Sequence, residues 1–73
     1  MIEIATEQVI PLRRVPDYLE RRGAKRPHLS AIYRWALAGL HGVRLETVRI
    51  GGVMHTSAQA LDRWTKILTA RGR

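Results

Sequence analysis

Basic side chains cluster in one short segment of the chain, residues 21–29. The segment reads Arg-Arg-Gly-Ala-Lys-Arg-Pro-His-Leu, so four of its nine residues are Arg or Lys. Both side chains pair with phosphate oxygens, and arginine also bonds in bidentate fashion to O6 and N7 of guanine. We therefore predict nucleic-acid binding, with Lys25, Arg26 and His28 on phosphates and Arg34 on base edges. The alternative reading of the segment is a solvated connector between two helices.

Other residues that could carry chemistry are sparse. Ser30 and Ser57 are the only serines, and each precedes a predicted helix whose first turn its hydroxyl could cap. His28, His41 and His55 are far apart for metal ligands, and the chain has no cysteine. The sequence also lacks paired carboxylates and a phosphate-cradling glycine loop. We predict no enzyme activity, no metal, no cofactor and no small-molecule substrate.

The overall charge supports a polyanionic partner. Thirteen Lys and Arg residues face six Asp and Glu residues, which gives a net charge of +7 and a pI near 11.4 in 73 residues. Such an excess attracts nucleic acid. The sequence opens Met-Ile-Glu-Ile, without the apolar run of a secretory signal, and it has no stretch long enough for a membrane span. We therefore expect a cytoplasmic protein without membrane association.

The elements that must position these residues begin with two helices. Helical spacing of apolar residues places the first at about Leu12–Glu20 and the second at about Ala31–Ala38. Ser30 is the predicted N-cap of the second helix, and Gly39 follows its end. The buried stripe of the second helix is predicted to consist of Ile32, Trp35 and Ala36.

A hairpin and a third helix complete the expected fold. Gly51-Gly52 lies between two β-rich runs, which predicts a two-residue turn that pairs Ile50 with Val53 and Val48 with His55. One face of the hairpin is then mainly apolar, and the other carries Arg49 and Met54. Ser57 caps a helix of about residues 58–69. Its apolar stripe is predicted to comprise Ala60, Leu61, Trp64, Ile67 and Leu68.

Several short segments resemble the excisionase-type helix-turn-helix, a branch of the winged-helix group that includes the MerR regulators. They are Ser30-Ala31-Ile32-Tyr33-Arg34-Trp35, Val48-Arg49-Ile50-Gly51-Gly52, Thr56-Ser57 and Ala60-Leu61. The segments Lys25-Arg26-Pro27-His28 and Gly42-Val43-Arg44-Leu45-Glu46 are also similar to an uncharacterised family of small bacterial proteins with this domain. The resemblance covers about residues 10–68.

The resemblance implies that the second helix enters the major groove and that the hairpin is a wing. Ser30, Tyr33 and Arg34 then lie on the recognition helix, and Arg49 lies on the wing with Gly51 and Gly52. Arg44 is expected near the wing, in contact with the DNA backbone. The nine-residue basic connector between the helices is longer than in typical members.

Taken together, the sequence predicts an α+β, mostly α, winged helix-turn-helix. The N-terminal lead-in is residues 1–10, the domain is residues 11–70 and the basic tail is residues 71–73. The predicted function is sequence-specific binding of double-stranded DNA, as a small transcription regulator or a recombination directionality factor. One module reads few base pairs, so specificity would require a homodimer, cooperative assembly on DNA or a partner. The alternatives are an RNA-binding module and a protein-interaction adaptor.

Overall fold

The computed structural model of the chain describes residues 1–71. The predicted basic tail therefore lies outside the described residues except for Arg71. Three α-helices pack with a three-stranded antiparallel sheet, so the expected α+β class is confirmed. In chain order the elements are strand β1 (Val9–Pro11), helix α1 (Val15–Arg21), helix α2 (Leu29–Leu37), strand β2 (Val48–Ile50), strand β3 (Val53–Ser57) and helix α3 (Ala58–Arg71).

The first two helices follow the predicted apolar spacing. A 3-10 turn at Leu12–Arg14 leads into α1, and Pro16 occupies the first turn of that helix, where its missing N–H costs nothing. In α2 the side chains of Ile32 and Ala36 are buried, and Trp35 is half-buried against the same core. The predicted stripe of α2 is therefore confirmed.

The predicted N-cap of α2 is wrong. The helix begins at Leu29, and His28 occupies the N-cap position in an extended conformation, with no side-chain cap. Ser30 thus lies in the first turn of α2, where it is exposed. Its position before the apolar stripe suggested a cap, but the backbone enters the helical conformation one residue after His28, ahead of the serine.

The end of α2 is fixed by Gly39, as predicted. Its φ of +86° is left-handed, and its N–H donates to the carbonyl of Arg34 at 2.9 Å. A Cβ at this position would lie only 2.9 Å from the carbonyl oxygen of Val43, so a side chain does not fit. The chain then reverses in a tight turn in which Leu40 and Val43 exchange backbone hydrogen bonds.

The hairpin forms in the predicted register. Ile50 pairs with Val53 and Val48 pairs with His55 across a turn in which both glycines have positive φ. The face that carries Met54 packs against the core, whereas Ile50 and Val53 on the more apolar face are exposed. The hairpin therefore leans on the helices through Met54.

A third strand comes from the segment expected to be a lead-in. Strand β1 pairs with β3 in antiparallel fashion, with Ile10 opposite Thr56, and the sheet order is β1-β3-β2. Ile10 is buried in the core, and Ile2 is buried as well. The residues before position 11 therefore contribute to the same packed unit. Pro11 is tolerated because β1 is an edge strand.

The core lies between the sheet and the three helices. Trp35 and Trp64 meet there with ring centroids 4.8 Å apart, and Nε1 of Trp64 donates to the carbonyl of Val43 at 3.0 Å. Their predicted core role is confirmed, but Ile67 in the predicted stripe of α3 is exposed. The buried apolar cluster comprises Ile10, Leu12, Val15, Ile32, Ala36, Leu45, Leu61 and Trp64.

Helix α3 begins at the predicted cap. The hydroxyl oxygen of Ser57 accepts the N–H of Ala60 at 2.8 Å, and the same hydroxyl donates to Glu7 at 2.6 Å. Arg63 on α3 pairs with both Glu7 and Glu46. These contacts tie the N-terminal segment to the start of α3. Within residues 1–71, no helix combines the length and apolarity needed to cross a membrane.

Candidate nucleic-acid interface

Helix α2 exposes both polar and apolar side chains to solvent. Because Ile32 and Ala36 point into the core, the opposite side of the helix carries Ser30, Tyr33 and Arg34, all exposed. Leu37, one turn further along, is 61% exposed. The structure therefore brings together the three residues predicted on this helix and adds an apolar side chain that was not among them.

The basic loop before α2 is anchored to α1. The guanidinium of Arg26 pairs with the carboxylates of Asp17 and Glu20. The hydrogen bond from Arg26 lowers the pKa of Asp17 and raises that of Arg26. All three side chains are about half-exposed, so water screens the pairs. Lys25 and His28 are exposed on the same loop. The predicted phosphate contact of Arg26 therefore competes with two carboxylates of the chain itself.

Ion pairing leaves an uneven distribution of positive charge. Five of the six acidic residues pair with cations in the part of the chain that the structure describes, and these pairs involve Arg26, Arg63, Lys66 and the N-terminus. The Lys and Arg residues that have no ion pair within residues 1–71 are Arg13, Arg14, Arg21, Arg22, Lys25, Arg34, Arg44, Arg49 and Arg71.

Two surface grooves border α1, and one of them reaches the start of α2. One, between β1 and α1, is lined by Arg13, Arg14 and Arg21 among others. The second is lined by Arg13, Arg26 and Pro27 together with the first residues of α2. Arg13, in the 3-10 turn before α1, borders both grooves, so it links the cations of the first groove to the N-terminal end of α2.

A second group of cations lies at the other end of α2. The N–H of Leu45 donates to the carbonyl of Trp35 at 2.9 Å, which holds the following chain against the helix. The side chain of Arg44 packs beside Gly39, and a methyl group added at Gly42 would lie 3.7 Å from Nη1 of Arg71. Arg44 and Arg71 therefore flank the turn that follows α2.

The hairpin contributes one of the predicted site residues. Arg49 on β2 is exposed and lies opposite Met54 on β3. The turn at Gly51 and Gly52 is exposed as well. Arg49 and this turn belong to the hairpin, while the other seven predicted site residues lie on the basic loop, on α2 or on the segment after it.

Sequence reasoning left three cations of this surface out of the predicted site: Arg13, Arg14 and Arg71. Arg14 and Arg21 are seven residues apart, the spacing that returns to one face after two helical turns, so this signal was available in the sequence. The approach of Arg71 to Gly42 depends on how α3 crosses the turn, which no local pattern shows.

The arrangement can bind anions through its exposed guanidinium groups. Among the described residues, no group of three or more His, Cys, Asp or Glu side chains is placed to share a metal ion. No buried side-chain nitrogen or oxygen among residues 1–71 lacks a hydrogen-bond partner.

Comparison with known proteins identifies a family for this chain. Neither the curated proteins nor the solved structures include a match. One family model matches residues 15–69, which extend from the first residue of α1 into the last turns of α3. The match covers both helices around the basic loop, the hairpin and the α3 helix. The chain therefore belongs to the family described as "Protein of unknown function (DUF1580)".

Proposed function

We propose that this chain binds double-stranded DNA as a winged helix-turn-helix. In this proposal α2 enters the major groove and the β2–β3 hairpin is the wing. The observation that carries it is the placement, at both ends of an exposed helix, of cations that form no ion pair within residues 1–71. Arg13 lies near the start of α2, and Arg44 and Arg71 flank the turn after its end.

The dimensions of α2 suit a major groove. Its nine residues span about 13 Å at 1.5 Å per residue, and the major groove is roughly 12 Å wide. A helix lying across the groove would bring its two ends close to the two phosphate backbones. Cations at both ends would then neutralise phosphates on opposite strands, and the exposed side chains between them would face base edges.

In this arrangement the exposed residues would contact either bases or phosphates. Arg34 would donate to guanine, Tyr33 and Ser30 would hydrogen-bond phosphate or a base, and Leu37 would contact a thymine methyl group. Lys25 and His28 would grip the backbone before the helix. Arg49 on the wing would touch the DNA backbone nearby, as would Arg44 and Arg71, which flank the turn after α2.

The test is a salt series of binding measurements on matched nucleic acids. Fluorescence anisotropy would follow a duplex DNA, a duplex RNA of the same sequence and each single strand. We expect tightest binding to duplex DNA, with a slope of log K against log salt of about −0.9 for each phosphate neutralised. Duplex RNA should bind more weakly because its narrow major groove excludes a helix. Equal binding of duplex RNA would favour an RNA-binding module instead.

The biological role of such binding is proposed to be transcription regulation or recombination directionality. Both roles use DNA binding without catalysis, and the genes flanking the coding sequence would separate them. Sequences selected from random duplex DNA would define the site, and their symmetry would show whether two copies bind together.

A specific observation favours one alternative, a protein-interaction role for α2. Leu29, Tyr33 and Leu37 are spaced four residues apart and all exposed, which forms an apolar stripe along the helix. Such a stripe could dock in an apolar groove of another protein. If no nucleic acid binds even at low salt, this alternative replaces DNA binding, and Leu37→Arg should then abolish the protein contact.

A further inference from the structure

The groove between β1 and α1 is a separate feature of the surface. It has a volume of about 430 Å³, within the range of roughly 300–1,000 Å³ typical of ligand sites. One wall is formed by residues of β1, among them Val9 and Pro11. The other wall carries Tyr18 with three arginines, Arg13, Arg14 and Arg21.

The β1 wall of the groove is an open sheet edge. Strand β1 pairs only with β3 in the described sheet, so its other side has no strand beside it. The N–H of Ala58 donates to the carbonyl of Gln8, which places Gln8 in a hydrogen-bonded pair. Because outward and inward groups alternate in an antiparallel ladder, the N–H and carbonyl of Val9 point away from β3. The edge is short: Val9 offers an outward N–H and carbonyl, and Pro11, the next outward residue, offers a carbonyl alone. A further strand can pair with these groups.

The α1 wall of the groove is strongly cationic. Arg13, Arg14 and Arg21 make no ion pair within residues 1–71, and the carboxylate of Asp17 among them is already engaged by Arg26. A strand placed along β1 would therefore meet three guanidinium groups that form no ion pair within residues 1–71. Carboxylates on that strand could pair with them in charge-assisted hydrogen bonds.

A second copy of the chain does not supply such a strand. Its six acidic residues are scattered, with no two closer than three positions apart, and five of them are already in ion pairs. A phosphate backbone would satisfy the arginines, but it offers no N–H for the outward carbonyl of Val9 and no side chains for the apolar wall. An acidic polypeptide matches both walls.

We propose that this groove binds an extended acidic segment of a partner protein, added to the edge of β1 as a fourth strand. The backbone of the segment pairs with Val9, and its carboxylates pair with Arg14 and Arg21. Arg13 also borders the groove beside the start of α2. The partner segment therefore engages a cation next to the helix that we assign to DNA, although the docking itself does not depend on DNA binding.

The test uses the full chain, isotope-labelled, and a short capped peptide of alternating glutamate and valine. Nuclear magnetic resonance should show saturable shifts at the amide of Val9 and along α1. The double variant Arg14→Ala/Arg21→Ala should bind the peptide roughly tenfold more weakly or worse, since bonds to charged groups contribute strongly. Arg49→Ala, which removes an exposed arginine on β2, is the matched control and should bind like the parent.

Two further probes decide the nature of the site. A peptide of alternating glutamine and valine should bind much more weakly if the carboxylates matter. Inorganic polyphosphate should shift the resonances of the arginines but not the amide resonance of Val9. If polyphosphate and the acidic peptide bind alike and neither affects Val9, the groove is a polyanion site and the proposal is wrong. Peptide-induced shifts confined to Tyr33 and Arg34 would also overturn it, because the peptide would then dock on α2.

Discussion

Arg26 in the loop before α2 is paired with Asp17 on α1, nine residues earlier in the chain, and it also reaches Glu20 at 3.2 Å. This one guanidinium pairs with both carboxylates that α1 exposes and offsets part of their negative charge. It also ties the loop to α1 through long side chains. Arg26 therefore has a positioning and neutralising role in the free protein, whereas its neighbour Lys25 has no ion pair within residues 1–71.

Lys25 and Arg26 should consequently differ in their effects on DNA binding. Lys25→Ala should weaken binding to every duplex and reduce the salt slope by about 1. Arg26→Ala should also weaken binding to all duplexes, because Asp17 and Glu20 would then repel phosphate. In the background Asp17→Asn/Glu20→Gln, however, removal of Arg26 should have no further effect. A loss of affinity that persists in this background would show that Arg26 contacts phosphate directly.

Arg34 is expected to read bases. It is exposed on α2 opposite the buried Ile32, so it would face the groove floor. Arg34→Ala should cost about 1–3 kcal/mol on the preferred duplex and relax preference at one base pair. Arg71→Ala, beside the turn after α2, is the control and should weaken binding to the preferred and scrambled duplexes alike. If Arg34→Ala lowers the affinity for both duplexes equally while Arg71→Ala changes the sequence preference, the recognition surface is the turn.

The sequence was most informative where structure is local. The spacing of Ile32, Trp35 and Ala36 predicted the core face of α2, and Gly51-Gly52 predicted the register of the hairpin, because both depend on neighbouring residues. The position of Gly39 after α2 was also predictable, since a left-handed residue is common at helix ends.

Features that depend on distant contacts were not predictable. Strand β1 is only three residues long and becomes a strand because Ile10 pairs with Thr56, more than forty positions away. The engagement of Arg26 by Asp17 requires the loop to fold back on α1. The sequence therefore showed which residue types belong to the candidate site. It did not show which of the cations in residues 1–71 form ion pairs and which do not.

Gly39 and Gly23 allow a matched test of the turn after α2. Both have positive φ, +86° and +90°, so alanine is strained at either position. At Gly23 a Cβ meets open space, whereas at Gly39 it would lie 2.9 Å from the carbonyl oxygen of Val43. We expect Gly23→Ala to cost about 1–2 kcal/mol of unfolding free energy. Gly39→Ala should cost roughly 1–3 kcal/mol more. Equal losses in urea denaturation would contradict the close approach.

The tryptophan pair should carry a large share of the stability. Trp64 is 7% exposed and bonds to Val43, so Trp64→Ala removes a buried ring and one of the two hydrogen bonds to the Val43 carbonyl, the other being from the N–H of Leu40. Truncation of a buried aromatic residue costs about 3–5 kcal/mol, which can exceed half the stability of a small domain. Trp35→Ala should cost less because that ring is half-buried. A Trp64→Ala variant that unfolds like the parent in thermal denaturation but no longer binds DNA would place Trp64 in the binding surface.

Glu7 should make the fold sensitive to acid. The hydrogen bond from Ser57 and those from Arg63 lower the pKa of Glu7 to about 2. An unfolded glutamate titrates near pH ~4.3. The ionised carboxylate therefore stabilises the folded state above that pH, and this contribution is lost as the pH falls toward about 2. The lowered pKa values of Asp17 and Glu46 act in the same direction. In urea denaturation, Glu7→Gln should be less stable than the parent at neutral pH.

The difference between Glu7→Gln and the parent should shrink between pH ~5 and pH ~2, because protonation removes the same charge from the parent. Asp62→Asn is the control, since Asp62 pairs with Lys66 on the exposed face of α3, where such pairs contribute little. It should follow the parent across the pH series. A constant difference between Glu7→Gln and the parent down to pH ~2 would mean that Glu7 acts through packing or its hydrogen bond to Ser57, and not through its charge.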